Sequence, residues 1–175
     1  NIIQTFPEFT LFQGLPKQDK MTDIIDHTVQ LDVTSIYPVK TKHSEVKWDQ
    51  KKEAKHLQRW QRKAESAAIQ SKRNTQPHIN AICSIDMLPD QVDLSSFDLL
   101  FVAWEDSKST ERLSLQAVQE NVRKIAVFIG PEGGLATEEV SSLESYGFRQ
   151  LNIGESILRV EIAAVVALSQ LKLVY

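Results

Sequence analysis

The sequence contains a single cysteine, Cys83. One thiol cannot close an intrachain disulfide, and no set of cysteines and histidines has zinc-ligand spacing, so neither a disulfide scaffold nor a metal site is expected, and a reducing cytoplasm is the expected compartment. Long hydrophobic runs are missing as well. The longest, Leu99–Trp104 and Ile162–Leu168, fall far short of the about 20 residues a membrane helix needs, and no signal peptide precedes them. Nor is there an excess of positive charge: 20 Lys and Arg against 23 Asp and Glu leave a net −3. That balance gives no global attraction to nucleic acid, so RNA contact must come from a local patch or from an upstream segment. The histidines His27, His43, His56 and His78 are scattered without partners and earn no catalytic role. Neither the Gly-x-Gly-x-x-Gly order nor a Gly-Lys-Ser/Thr ending occurs, which removes support for hydride transfer and nucleotide hydrolysis.

What remains is an ordinary globular composition. With 175 residues, 42% hydrophobic and 25% charged, the chain suits one compact α/β domain. Strand-like and helix-like patterns alternate without repeats or low-complexity linkers, favouring a largely parallel sheet covered by helices. Strands are expected at Phe9–Leu15, Ser35–Val39, Ile79–Ile82, Phe97–Ala103, Ile125–Ile129 and Leu151–Ile153. Helices are expected at Met21–Leu31, Glu53–Ser71, Leu113–Val122 and Leu158–Val174, with another following Gly134, capped by Thr137 and ended by Gly147. The segment between Ile82 and Ser96 reads as a polar, proline-containing connection. The abrupt start at Asn1, directly before strand-like sequence, suggests that an upstream segment is missing.

Two stretches carry chemistry. The first is Gly130-Pro131-Glu132-Gly133-Gly134, which follows the most β-like run in the chain and so stands at the carboxyl end of a strand, where open α/β sheets place ligands. Pro131 fixes φ and removes a donor, while Gly133 and Gly134 allow unusual dihedrals and close approach of a flat ligand. The second runs from Ile153 through Gly154, Ile157 and Leu158 into the apolar terminal helix, where Arg159 and Glu161 interrupt a greasy stretch. Such charges need partners or a function; capping backbone groups or pairing across a dimer interface would also account for them. The terminal helix, apolar nearly all round, is expected in a core or a subunit interface.

A basic face adds a third feature. In the Glu53–Ser71 helix, Leu57, Trp60, Ala64, Ala67 and Ala68 form an apolar stripe, while Lys52, Lys55, Arg59 and Arg62 lie on another side, with Lys72 and Arg73 beyond its end. These cations are candidate RNA contacts, although a solvated face has the same pattern.

Taken together, Ile129-Gly130-Pro131-Glu132-Gly133-Gly134 and Ile157-Leu158-Arg159-Val160-Glu161-x-Ala163 at their mutual spacing, with Leu15-Pro16-Lys17, Asp19-Lys20-Met21, Gln70-Ser71 and Arg73, resemble the RsmE-type ribosomal RNA methyltransferases of the SPOUT superfamily. The resemblance covers nearly the whole chain. Departures from the family pattern include His43, where Arg is frequent, and Ile162, where Thr is usual. The resemblance implies that residues 1–175 form an α/β-knot methyltransferase domain: a mostly parallel sheet flanked by helices, with a C-terminal trefoil knot. It also implies a homodimer and a PUA-like RNA-binding barrel upstream. S-adenosylmethionine would be held by the loops after Ala103, at Gly130–Gly134 and at Ile153–Leu158, with Ala103, Glu105, Ile129, Gly130, Pro131, Glu132, Gly133, Gly134, Leu151, Ile153, Gly154, Ile157 and Leu158 as contacts.

The implied reaction is methylation of a uridine N3 in small-subunit (16S) ribosomal RNA, free or in the assembled 30S particle. Methyl transfer from a sulfonium needs no metal. Uridine N3 attacks best after losing its proton, so the site needs a base or a cation that stabilises the resulting anion. Arg159 is the candidate cation, since guanidinium stays charged and offers planar paired donors; it could equally hold a phosphate. Glu161 and Glu132 are the candidate bases or orienting groups, and either could be structural. A knotted methyltransferase acting on another RNA or on a ribose 2′-hydroxyl, and a non-catalytic RNA-binding or ribosome-assembly factor, remain open alternatives.

Overall fold

A computed structural model of the protein describes residues 6–44, 46–104 and 121–175. In chain order its elements are β1 (Glu8–Gly14), α1 (Lys20–Val29), β2 (Val33–Lys40), α2 (Gln50–Gln70), β3 (His78–Ile79), β4 (Cys83–Ser84), α3 (Leu88–Gln91), β5 (Leu99–Ala103), β6 (Lys124–Ile129), α4 (Thr137–Ser145), β7 (Arg149–Leu151) and α5 (Val160–Val174). Among the described residues the strands form one sheet in the order β3-β2-β1-β6-β5-β7, with β4 also on β2. Every pairing is parallel.

The alternation of side chains along each strand divides the core between the two faces. Phe9 and Leu11 of β1 and Ile125, Val127 and Ile129 of β6 face α1, α2 and α5, where Ile24, Ile25, Trp60, Ala64, Ala167 and Leu168 meet them. Phe12 of β1 and Ala126 and Phe128 of β6 face the other way, toward Leu88, Val140 and Leu143. Phe12 stacks on Tyr37 at 4.9 Å and meets Phe148 edge-on at 5.8 Å, filling the second layer with aromatic rings. A sheet buried on both faces explains why Ile125–Ile129 reads as a continuous apolar run.

Several expectations need correction. The helix after the glycine-rich loop has Ala136, not Thr137, as its N-cap. Ala136 has no side-chain acceptor, and the Glu139 carboxylate one turn into the helix reaches back to accept the Ala136 N–H at 2.9 Å. The expected Ile79–Ile82 strand is two short strands, β3 and β4, interrupted where the Asn80 amide donates to Ser35 Oγ and the Ile36 carbonyl. The connection read as polar contains α3 and buries Leu88 and Val92. The strand expected at Leu151–Ile153 is Arg149–Leu151, and the terminal helix begins at Val160 rather than Leu158. That helix is also less uniform than its composition implies: Val160, Ala164, Ala167, Leu168 and Leu171 are buried, whereas Ile162 and Leu173 are exposed. The helix expected at Leu113–Val122 lies outside the described residues except for its last two positions, neither of which is helical.

Candidate functional site

Strand register brings the expected ligand loops together. Ala103 of β5 pairs with Ile129 of β6 on one side and Leu151 of β7 on the other, and Ile129 pairs with Gln13 of β1. Four strands therefore end level, and parallel strands all release their following loops at the same edge. A cleft with a volume of about 140 Å³ opens there, at the carboxyl ends of the strands where open α/β sheets place ligands.

Ten of the expected contacts line the cleft: Ala103, Ile129, Gly130, Pro131, Glu132, Gly134, Ile153, Gly154, Ile157 and Leu158. Leu151 is buried at the end of β7 and does not reach it, and Glu105 lies outside the described residues. Gly133 also fails to line it. A Cβ at Gly133 would meet the His43 Cβ at 2.9 Å, so this glycine admits a neighbouring loop and not a ligand. Gly134, with φ +68°, is the residue that needs the left-handed region, where it closes the turn by donating to the Pro131 carbonyl at 2.9 Å. Glu155 and Ser156, within the expected Ile153–Leu158 loop, also line the cleft, and sequence reasoning missed Trp104, Leu135, Asn152, Val160 and Ala163. Asn152 had a signal, because an Asn two residues before a glycine is a turn former. Its carboxamide oxygen accepts the Gly154 N–H at 2.9 Å.

The glycine-rich loop is anchored from outside the cleft. Gln13, fully buried, donates from its amide to the carbonyls of Gly14 at 3.0 Å and of Ile129 and Gly130 at 3.4 Å. His43 Nδ1 lies 3.1 Å from the Gly134 carbonyl oxygen. Glu132 accepts the Lys17 N–H at 3.0 Å and pairs with the Lys20 ammonium at 3.2 Å. Lys20 also lies 3.9 Å from Glu161. Its ammonium thus stands between the two acids that the sequence left as alternative bases.

These acids are not equivalent. Both Glu132 oxygens have donors within reach, whereas Glu161 Oε2 is buried without a hydrogen bond. Arg159 is exposed at the N-cap of α5, so the two charges of the terminal motif are not paired with each other.

The lining's charge is informative. Glu132 and Glu155 border the cleft, and among the described residues no Lys, Arg or His lines it. Phosphate-bearing ligands are ordinarily met by cations or a helix N-terminus; walls of glycine backbone and aliphatic side chains suit the flat face of a ligand.

Of the expected RNA contacts, Lys52, Lys55 and Arg59 line one groove at the start of α2. Arg62 is exposed elsewhere on the helix. Arg73 is turned inward: its side chain is 7% exposed and donates to the carbonyls of Val29 at 2.9 Å and Val33 at 2.7 Å. That guanidinium ties the end of α2 to the α1–β2 connection and is not a free surface cation.

A family model described as the RNA methyltransferase domain matches residues 4–172. The chain belongs to this RNA methyltransferase family. It is 36% identical over 160 residues to ribosomal RNA small subunit methyltransferase E of Bacillus subtilis (strain 168), a match covering 89% of this chain and 62% of that protein. The structure of the enzyme of the same name from Neisseria gonorrhoeae, bound to S-adenosyl methionine, superposes with a TM-score of 0.84 at 28% identity, covering 97% of this chain and 67% of that one. A methyltransferase from Legionella pneumophila in complex with bound cofactor SAM gives a TM-score of 0.85 at 28% identity, covering 95% and 66%. The parallel sheet flanked by helices is the architecture expected from the sequence. The chain spans somewhat less than two thirds of the Bacillus protein.

Proposed function

We propose that this chain is the cofactor-binding and catalytic domain of an S-adenosylmethionine-dependent methyltransferase acting on small-subunit ribosomal RNA, with a uridine N3 as acceptor. The observation that carries the reading is the cleft itself: level strand ends, glycine backbone at Gly130, Gly134 and Gly154, and aliphatic walls. The residues fit the cofactor. A purine can lie against Ile129, Leu135, Ile153 and Leu158 without meeting a Cβ from the glycines. The names of the Bacillus and Neisseria relatives support the same reading.

When bound, the cofactor supplies an activated methyl group on a neutral leaving thioether, so the protein's task is to position and to manage one proton. Arg159 stands exposed at the entry to α5, where a guanidinium can stabilise the uridine anion or hold a phosphate. Glu132 is held by the Lys17 N–H and Lys20 and keeps the loop in place, which leaves Glu161, beside the same ammonium, as the candidate that orients the N3 proton. A trefoil knot, a homodimer that covers the exposed Ile162 and Leu173 side of α5, an upstream RNA-binding barrel and a cytoplasmic location belong to the same proposal.

Titration calorimetry with S-adenosylmethionine, followed by transfer assays on unmodified small-subunit particles with the upstream segment restored, tests it. Binding plus methylation at uridine N3 is expected. A folded chain that releases no heat at high concentration would instead point to a non-catalytic RNA-binding protein.

A further inference from the structure

The start of α2 forms an open groove lined by Asp49, Lys51, Lys52, Lys55, His56 and Arg59. Most lysines elsewhere with a described partner are spent on carboxylates: Lys40 on Glu53, Lys42 on Glu138, Lys63 on Asp26 and Lys172 on Asp32. Lys51, Lys52 and Lys55 pair with no acid among the described residues. Asp49, the acid in the groove, is occupied as the helix N-cap, where it accepts the Lys52 N–H at 2.7 Å. The groove therefore concentrates unneutralised positive charge in a chain of net −3, beside the positive end of a 21-residue helix.

Two further observations give this charge a specific use. The His56 ring is stacked on Trp48 with centroids 3.9 Å apart and planes 13° from parallel, and Trp60 lies behind it at 5.5 Å. A flat ring is thereby held in the groove on an aromatic support, and flat rings among cations are how proteins receive unpaired bases. The groove is also tied to the cleft through α1. Arg59 in the groove is paired with Asp19, and the next residue, Lys20, is paired with Glu132 in the cleft wall. The Asp19-Lys20 dipeptide thus links a residue of the groove to one of the cleft wall.

We propose that this groove is the track for the unpaired RNA segment that delivers its target base to the cleft, with Lys51, Lys52 and Lys55 on phosphates and His56, backed by Trp48, beneath a neighbouring base. The proposal rests on the methyltransferase reading for its destination but not for its binding surface. An unpaired strand is the required form, because chemistry on the Watson–Crick edge of a base needs that base out of the stack.

The test uses a fluorescent single-stranded oligouridylate and its binding to the chain across salt concentrations. Lys52→Glu with Lys55→Glu reverses two charges in the groove; Arg123→Glu with Lys124→Glu makes the same charge change at the opposite end of the sheet, where β6 begins. The groove pair should lower affinity at least tenfold and reduce the log–log salt slope by about 1.4, at about 0.7 per phosphate contact. The distant pair should cost less than threefold. His56→Ala should weaken binding severalfold with the slope unchanged, since it removes stacking and no phosphate contact. S-adenosylmethionine titrations of every variant should match the parent, so a chain that binds the oligonucleotide in this pattern but no cofactor would sink the methyltransferase reading and leave the track standing. Equal losses for the two pairs, full affinity in the groove pair, or no oligonucleotide binding by the parent would each overturn the track.

Discussion

The Lys20 ammonium lies 3.2 Å from the Glu132 carboxylate, joining the first turn of α1 to the glycine-rich loop that follows β6. The Lys17 N–H reaches the same carboxylate at 3.0 Å, so one acid in the cleft wall is held from two directions. Lys20→Met should leave the Glu132 carboxylate with only the Lys17 contact. Because both partners are partly exposed, the stability cost should be no more than about 1 kcal/mol, while S-adenosylmethionine affinity falls several-fold. Lys20→Arg should restore most of it. Calorimetry on the two variants checks this, and unchanged affinity in Lys20→Met would show that the latch does not matter for the ligand.

Gly14 controls the same loop from beneath. A Cβ there would stand 2.7 Å from Pro131 Cδ and 2.8 Å from Pro131 N, and backbone cannot move aside cheaply. Gly14→Ala should displace Pro131, lower the melting temperature and weaken cofactor binding at least tenfold. Gly133→Ala should meet His43 instead and leave the cleft closer to its native form. Parallel thermal melts and titrations would separate them; equal cofactor loss in both variants contradicts this assignment of roles.

Gln13 supplies a third anchor, and its replacement should be costly because its amide serves buried carbonyls of Gly14, Ile129 and Gly130. Gln13→Met keeps the volume and removes the donor, so those acceptors lose a partner at about 1–3 kcal/mol. Chemical denaturation should show this loss without a change in the denaturant slope. A variant as stable as the parent would mean that water satisfies the carbonyls equally well.

The contrast between these anchors and the cleft explains what the sequence made legible. Ile125–Ile129 followed by Gly130–Gly134 is a local signal, a buried strand emptying into a turn, and both its strand and its place at the sheet edge are found in the fold. Gln13, Lys17, Lys20 and His43 act on that loop across long separations in the chain. No periodicity encodes such contacts; only the strand order that sets β1 beside β6 creates them. The inward turn of Arg73 was hidden for the same reason, since its acceptors, the Val29 and Val33 carbonyls, are backbone groups that any residue type would offer. Conversely, α3 was missed locally, because Leu88-Pro89-Asp90-Gln91 is too short to show a helical period.

Cys83 should be chemically quiet in the folded protein. Burial pushes its thiol up to about 11, from an ordinary 9.0, so little of it is the reactive thiolate near neutral pH. A thiol reagent should modify it slowly in buffer and rapidly in denaturant. The sign of the linkage follows: an unfolded chain loses this proton near 9.0 and the folded one near 11, so the contribution to stability is complete below 9.0 and fades as pH rises between the two values. Rapid labelling of the native chain at neutral pH would contradict the burial.

His56 should titrate in the opposite sense. Its pKa is held below the usual 6.5, first by burial against its neighbours and then by the nearby Arg59 and Lys52 charges, with Asp19 opposing them. Its neutral form is therefore favoured on folding, and that contribution is present above 6.5 and lost as pH falls through the lower folded value. Proton NMR of the imidazole, assigned by its disappearance in His56→Ala, should give a midpoint below 6.5. Lys52→Glu replaces one of the repelling cations with an anion and should move the midpoint upward. Bound oligouridylate should do the same, because phosphates in the groove would favour the imidazolium. A midpoint that responds to Lys52→Glu but not to saturating oligonucleotide would mean that the nucleic acid binds away from His56, and the aromatic support would then serve only the fold.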